Sequence, residues 1–200
     1  MHSRRTLQHA GSQRRKRAVC RRARRHAVAG MLYTMHAEVK HFVAAGVKGA
    51  IVNVGSLCGE HAGICGTMYT SSKFATQGFT KQAAIKYGPR GIRINLLDPG
   101  LIHTQMLRDD YGTALRRDDP KWVESRKAVD RAIPLRAIAE PWEMAGPILF
   151  LADNSRASYV TGAVLTADGG LTQVGAFNSE AAAIEGGIKD SSPTDNKAEL

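Results

Sequence analysis

The sequence predicts an α/β fold, and three observations lead to it. Short apolar runs at residues 49–55, 92–98 and 162–167 have the length and residue types of buried strands. Between them lie stretches whose apolar residues return every three or four positions, the period of a helix packed on one side. The composition, 43% apolar and 6% aromatic over 200 residues, suits an ordinary α/β domain. No apolar run approaches the roughly eighteen residues needed to cross a bilayer, so no membrane partner is expected.

The elements follow in order. Met31, Leu32, Met35, Val39, Phe42 and Val43 recur at helical steps, and Gly46 offers a C-cap, which predicts a helix over 31–45. A strand at 49–55 and a glycine-rich loop come next, then a helix from about Met68 to Tyr87, closed by Gly88, with Phe74, Ala75, Phe79, Ala83 and Tyr87 on its inner side. The strand at 92–98 is stopped by Pro99, whose missing N–H cannot continue a central ladder. Residues 105–133 carry Met106, Leu107, Tyr111, Leu115, Trp122 and Val123 among many charges and read as two short helices, either a substrate lid or a surface hairpin. Pro141 opens a helix to about Ala152 that Pro147 is expected to kink, and the last strand occupies 162–167. After Gln173 the chain turns polar and weakly acidic, which predicts a disordered tail over 174–200.

Tyr69, Lys73 and Ser56 carry the chemistry. Positions four apart share one helix face, so Tyr69 and Lys73 stand side by side. An ammonium near a phenol favours the phenolate, bringing a tyrosine from about 10 toward the range of a general acid or base. Ser56, at the end of an apolar strand, is placed to hydrogen-bond the same substrate oxygen. Taken alone, Tyr-x-x-x-Lys is a commonplace helical spacing.

The surroundings add three further motifs: Ala50-Ile51-Val52-Asn53-Val54-Gly55-Ser56 before the pair, Gly91-Ile92-Arg93-Ile94-Asn95-Leu96-Leu97-Asp98-Pro99-Gly100 after it, and Tyr159-Val160-Thr161-Gly162 with Asp168-Gly169-Gly170. In this order and spacing, residues 30–173 resemble the C-terminal half of a short-chain dehydrogenase/reductase domain. The resemblance implies a partial Rossmann-like, doubly wound parallel sheet with flanking helices, and an NAD or NADP cofactor. It implies interconversion of a secondary alcohol and a ketone, with Tyr69 as acid/base, Lys73 lowering its pKa and holding the nicotinamide ribose, and Ser56 orienting the carbonyl. Pro99, Gly100, Ile102 and Thr104 would line the cofactor. Leu57 and Cys58, with His61, Ile64, Leu101 and Met106, would line a moderately apolar substrate pocket. It also implies oligomers, either of this chain or with related subunits, through the helices at 31–45 and 68–87. The alternative is a non-catalytic interaction protein using those same helices.

Several family features are missing from the sequence. No strand and glycine-rich turn of the dinucleotide-binding kind precedes residue 30, and Gly55, Gly59, Gly63 and Gly66 lack the single-residue spacing that a pyrophosphate turn needs. Ala27 stands where many members have a relay asparagine. Activity is therefore expected to be impaired, and the strand at 49–55 to present an open edge prone to association.

The net charge of +10 sits in one place. Residues 1–26 hold ten Lys/Arg and no acid, leaving the other 174 residues with 18 charges of each sign. Residues 1–29 read as a disordered basic arm, open to interpretation as non-functional sequence, a targeting segment or a polyanion binder. The neutral remainder argues against nucleic acid as a partner. Cys20, Cys58 and Cys65 form an odd set without a secretory signal, which predicts free thiols and a cytoplasmic protein. Cys58, His61 and Cys65 lack a fourth ligand, so no metal is expected.

Overall fold

A computed structural model describes residues 25–62, 64–110 and 120–173. The basic arm up to residue 24, Cys20, Tyr111, Leu115 and the tail 174–200 lie outside the described residues. The described chain opens with a π-helical turn, Arg25–Gly30, running directly into helix α1, Met31–Ala45. Strand β1, Gly49–Val54, leads through a 3-10 turn, Leu57–Gly59, to helix α2, Thr67–Tyr87. Strand β2, Ile92–Pro99, is followed by helices α3, Gln105–Asp110, and α4, Pro120–Ala132. A 3-10 turn, Pro141–Met144, precedes helix α5, Ala145–Ala152, and strand β3, Val164–Ala167, completes the order. Pro147 lies in the first turn of α5, where its missing N–H breaks no bond inside the helix; the expected bend becomes the 3-10 to α transition just before it.

The sheet is open and wholly parallel, in the order β1-β2-β3. Gly49 pairs with Ile92 and Val54 with Leu97 across the first ladder, and Leu96 with Val164 and Pro99 with Ala167 across the second. β2 is buried along its whole length because strands flank it on both sides and helices cover it. Neighbouring residues of a strand face opposite ways. Ile92 and Ile94 pack with Ile51 against Met35 and Val39 of α1 and Ala83 and Ala84 of α2. Arg93, between them, reaches the carbonyl oxygens of Leu151 and Ala152 at the end of α5. Helices thus cover both faces, as an incomplete Rossmann-like sheet requires.

One expectation about α2 needs correction. Phe74 is 44% exposed, and the inner face is formed by Ser72, Thr76, Thr80, Ala83 and Ala84. The hydroxyls of Thr76 and Thr80 donate to the carbonyls of Ser72 and Thr76, and Asn53 of β1 donates to the Thr80 hydroxyl at 2.9 Å. Small side chains let the helix approach the sheet closely, and their polar atoms are satisfied within the contact. Among the described residues no helix is long and apolar enough to cross a membrane.

Candidate active site at the carboxyl edge of the sheet

Parallel strands end together, so the residues that follow β1, β2 and β3 gather at one edge. Ser56 follows β1, Gly100 follows β2 and Asp168 follows β3. The Pro99-Gly100 turn is tied down by the Gly100 N–H donating to the Ala167 carbonyl at 2.9 Å. A Cβ on Gly100 would lie 2.6 Å from the Asp168 Cα, so only glycine fits this approach.

Tyr69 and Lys73 occupy the first turns of α2, and the Lys73 Nζ lies 5.5 Å from the centre of the Tyr69 ring. Lys73 donates to the Gly55 carbonyl at 2.8 Å. The ladder explains this bond. Gly55 continues β1 and donates its own N–H to the Leu97 carbonyl at 2.8 Å, so its carbonyl would next accept from residue 99. That residue is proline and has no N–H. The Lys73 ammonium supplies the missing donor. Burial pushes the Lys73 pKa down, while the nearby Asp98 charge pulls it up.

Asp98 is the residue that sequence reasoning passed over. It is fully buried, accepts from the Ser56 N–H at 2.8 Å through Oδ1, and from the Gln77 side chain at 3.4 Å through Oδ2. Burial raises its pKa, the bonds from Ser56 and Gln77 lower it, Glu60 raises it and Lys73 lowers it, with a net upward shift. A carboxylate next to Pro-Gly at a strand end was the available signal, but its partner Ser56 is 42 residues away.

The other expected site residues take definite places. Ser56 is partly buried, and its hydroxyl accepts from the Cys58 N–H at 3.3 Å, capping the 3-10 turn. Leu57 and Cys58, each 2% exposed, pack with Leu107, Trp122, Ile133, Ile138 and Leu171 in a second core cluster, which Ile64 and Leu101 flank. A Cβ on Gly59 would fall 2.9 Å from the Lys73 carbonyl oxygen, so this turn lies directly on the backbone of α2. Ile102 bridges to Ala139, and Thr104 accepts from the Leu107 N–H at 3.4 Å at the start of α3. His103, between them, lies 3.2 Å from Glu140 and stacks on Trp122. Met106 is 65% exposed. Among the described residues no cluster of His, Cys, Asp and Glu could hold a metal.

The cysteines differ from expectation. Cys58 and Cys65 form a disulfide, with Cα atoms 6.1 Å apart, that closes the loop between Ser56 and Tyr69. The odd total concealed a pair seven positions apart, and the free-thiol argument for a reducing compartment falls with it.

Known proteins resemble this chain in sequence and in fold. A family profile described as enoyl-(acyl carrier protein) reductase matches residues 8–172. Carbonyl reductase family member 4 of Danio rerio is 40% identical over 144 residues, covering 71% of this chain and 52% of the relative. The L-rhamnose 1-dehydrogenase (NAD(P)(+)) of Azotobacter vinelandii is 36% identical over 142 residues, with the same two coverages of 71% and 52%. The chain thus spans about half the length of the curated relatives it matches. Among solved structures, ElxO with NADP bound superimposes with a TM-score of 0.62 at 29% identity, over 74% of this chain and 55% of that one. A putative 2-deoxy-D-gluconate 3-dehydrogenase from Agrobacterium tumefaciens with bound NADP gives 0.62 at 32% identity, over 74% and 56%. The order of strands, the residues gathered at their carboxyl edge and these likenesses lead to one conclusion: the chain belongs to the short-chain dehydrogenase/reductase family.

Proposed function

We propose that this protein is an NAD(P)-dependent oxidoreductase that interconverts a secondary alcohol and a ketone, with Tyr69 as the acid/base. The observation that carries the reading is the hydrogen bond from Lys73 to the Gly55 carbonyl, which ties the Tyr69 helix to the peptide that bears Ser56. The donor set suits the nicotinamide end of such a cofactor. Lys73 has three N–H bonds, of which the Gly55 carbonyl takes one, and the Tyr69 ring is 37% exposed beside it. Lys73 and Tyr69 would hold ribose hydroxyls, and the Pro99-Gly100 turn with Ile102 and Thr104 would lie along the nicotinamide. Among the described residues no glycine-rich strand-to-helix turn offers a seat for the pyrophosphate. When bound, the nicotinamide supplies or receives the hydride.

The remaining work belongs to the chain. In the reductive direction the Tyr69 hydroxyl gives its proton to the carbonyl oxygen as negative charge builds there, and the Lys73 ammonium steadies the phenolate left behind. Ser56 donates a hydrogen bond to the same oxygen and fixes the face presented to the hydride. The relatives' names, a carbonyl reductase and a sugar dehydrogenase, support small carbonyl compounds and alcohols as the substrate class.

Calorimetric titration with NADPH and NADH, followed by turnover on a panel of small ketones, tests this. Tyr69→Phe should lower kcat by about 100- to 10,000-fold with coenzyme affinity retained. Undiminished turnover in Tyr69→Phe would refute the assignment.

A second reading, association with other family members, is favoured by a groove of about 200 Å³ between α1 and α2, lined by Leu32, Met35, Phe79, Ala83 and Tyr87. Co-purification with a tagged family member supports it, and a monomer at every concentration counts against it.

A further inference from the structure

The peptide joining Gly55 to Ser56 is held at both ends. Its carbonyl accepts from the Lys73 ammonium at 2.8 Å, and its N–H donates to the Asp98 carboxylate at 2.8 Å. In a trans peptide these two groups point in opposite directions, so the bonds pull along one line and lock the plane between them. Hydrogen bonds in series polarise one another, and both outer partners are ionisable.

Asp98 has no room to do otherwise. Its side chain is fully buried, Gln77 accounts for Oδ2, and a Cβ at position 55 would stand only 1.9 Å from Oδ1. Glycine at 55 is what lets the carboxylate approach the Ser56 N–H. The ladder shows why a side chain is needed there. Pro99 turns β2 away without offering a donor, so Lys73 and Asp98, not the ladder, pair the two ends of this peptide.

We propose that Asp98 is a positioning residue, anchoring the Ser56 backbone and, across the shared peptide, steadying the Lys73 ammonium. The role rests on the reading of Ser56 and Lys73 as site residues. The groups facing Asp98 are the Ser56 N–H, the Gln77 amide, the Lys73 ammonium and the Glu60 carboxylate. Glu60 is itself tied to the Thr166 hydroxyl of β3 at 2.6 Å, which fixes the repulsive member of the set. The Asp98 charge raises the Lys73 pKa against the larger downward push of burial. Removing that charge while keeping the shape should make Lys73 give up its proton more readily.

NMR titration of the side-chain Nζ and Cε signals in isotopically labelled full-length protein reads this directly, with Lys73 assigned by its disappearance in Lys73→Arg. In Asp98→Asn the Lys73 midpoint should fall by on the order of one pH unit. In Asp98→Ala, exchange of the Ser56 amide hydrogen should quicken about tenfold relative to that of Asn53. A purely space-filling role would leave the Lys73 midpoint of Asp98→Asn where it was, and that result overturns the proposal. So does unchanged Ser56 exchange in Asp98→Ala. NADPH titration of the same samples separates the two readings. A shifted midpoint in protein that does not bind NADPH upholds the clamp and refutes the oxidoreductase, whereas an unmoved midpoint in protein that binds NADPH refutes the clamp alone.

Discussion

A single methyl group added at Gly55 should destabilise the protein by about 2 kcal/mol, and most of that loss should disappear once Asp98 is shortened to alanine. The contact at issue is specific: a Cβ at position 55 meets Asp98 Oδ1 at 1.9 Å, with the Asp98 Cγ at 3.2 Å and a Leu96 methyl at 3.3 Å. Gly55 is not in the left-handed region, so its backbone accepts alanine. The unfolded chain even loses freedom, which favours folding by about 0.4–1 kcal/mol. The penalty therefore comes from the collision. Asp98 is fully buried and held by Ser56 and Gln77, so overpacking contributes about 1–3 kcal/mol and the weakened Ser56 bond about 1 kcal/mol more. In Asp98→Ala the carboxylate is gone and the methyl has space, which predicts a coupling energy of about 2 kcal/mol between the two sites. Urea unfolding of wild type, both single variants and the double variant, followed by tryptophan fluorescence at neutral pH, measures it. Additivity within about 0.5 kcal/mol would show that the two residues do not meet, and the account of this edge would fail.

Three other outcomes follow from the same structure. Arg93 donates to Asn154 Oδ1 and to the carbonyls of Leu151, Ala152 and Val160, so Arg93→Met should lower the stability by about 3 kcal/mol in urea unfolding; a loss under about 1 kcal/mol would refute its role in closing α5. Burial pushes the Asp168 carboxyl up, but the Thr172 side chain and the Thr172 and Gly170 N–H groups hold it down overall, so its contribution is complete above the unfolded carboxylate value and is lost as pH falls through the folded one; Asp168→Asn should flatten that acid limb in melts from pH 7 to pH 2. Reduction of Cys58–Cys65 should cost about 2.5 kcal/mol from loop entropy, read as a drop in Tm with dithiothreitol that is absent in Cys58→Ser.

Much of this architecture was legible because burial leaves simple patterns in strands. A central parallel strand covered on both faces must be apolar nearly throughout, and Ile92, Ile94, Leu96 and Leu97 report that directly. Tyr69 and Lys73 were legible because helical spacing alone brings them together. The inner face of α2 was not, since an apolar stripe is the usual sign of burial, while close helix-to-sheet contact selected Ser72, Thr76 and Thr80 instead. Their hydroxyls satisfy themselves on the helix backbone, which is invisible to a reading based on hydropathy. The disulfide was hidden because pairing depends on the path of the loop, which brings the Cα atoms to 6.1 Å, and not on the number of cysteines.

The position of Asp98 makes sense only when the alternatives at that point are compared. A leucine there would suit the apolar strand, but would leave the Ser56 N–H buried without an acceptor, a loss of about 1–3 kcal/mol. An asparagine could accept the same bond, yet would offer Lys73 no opposite charge in a site where burial already works against the ammonium. A carboxylate does both, and its disadvantage is visible in its own raised pKa. Protonation of Asp98 would remove its attraction for Lys73, so a fall in pH through the raised Asp98 value weakens the lysine's support from one end of the string. Because the folded Asp98 value lies above the unfolded one, the folded protein holds this proton more tightly, and ionising Asp98 as pH rises lowers stability. Stability and the support of Lys73 thus pull in opposite directions at this residue. That opposition is what the proposed positioning charge at this carboxyl edge should show, and a residue kept only for packing should not.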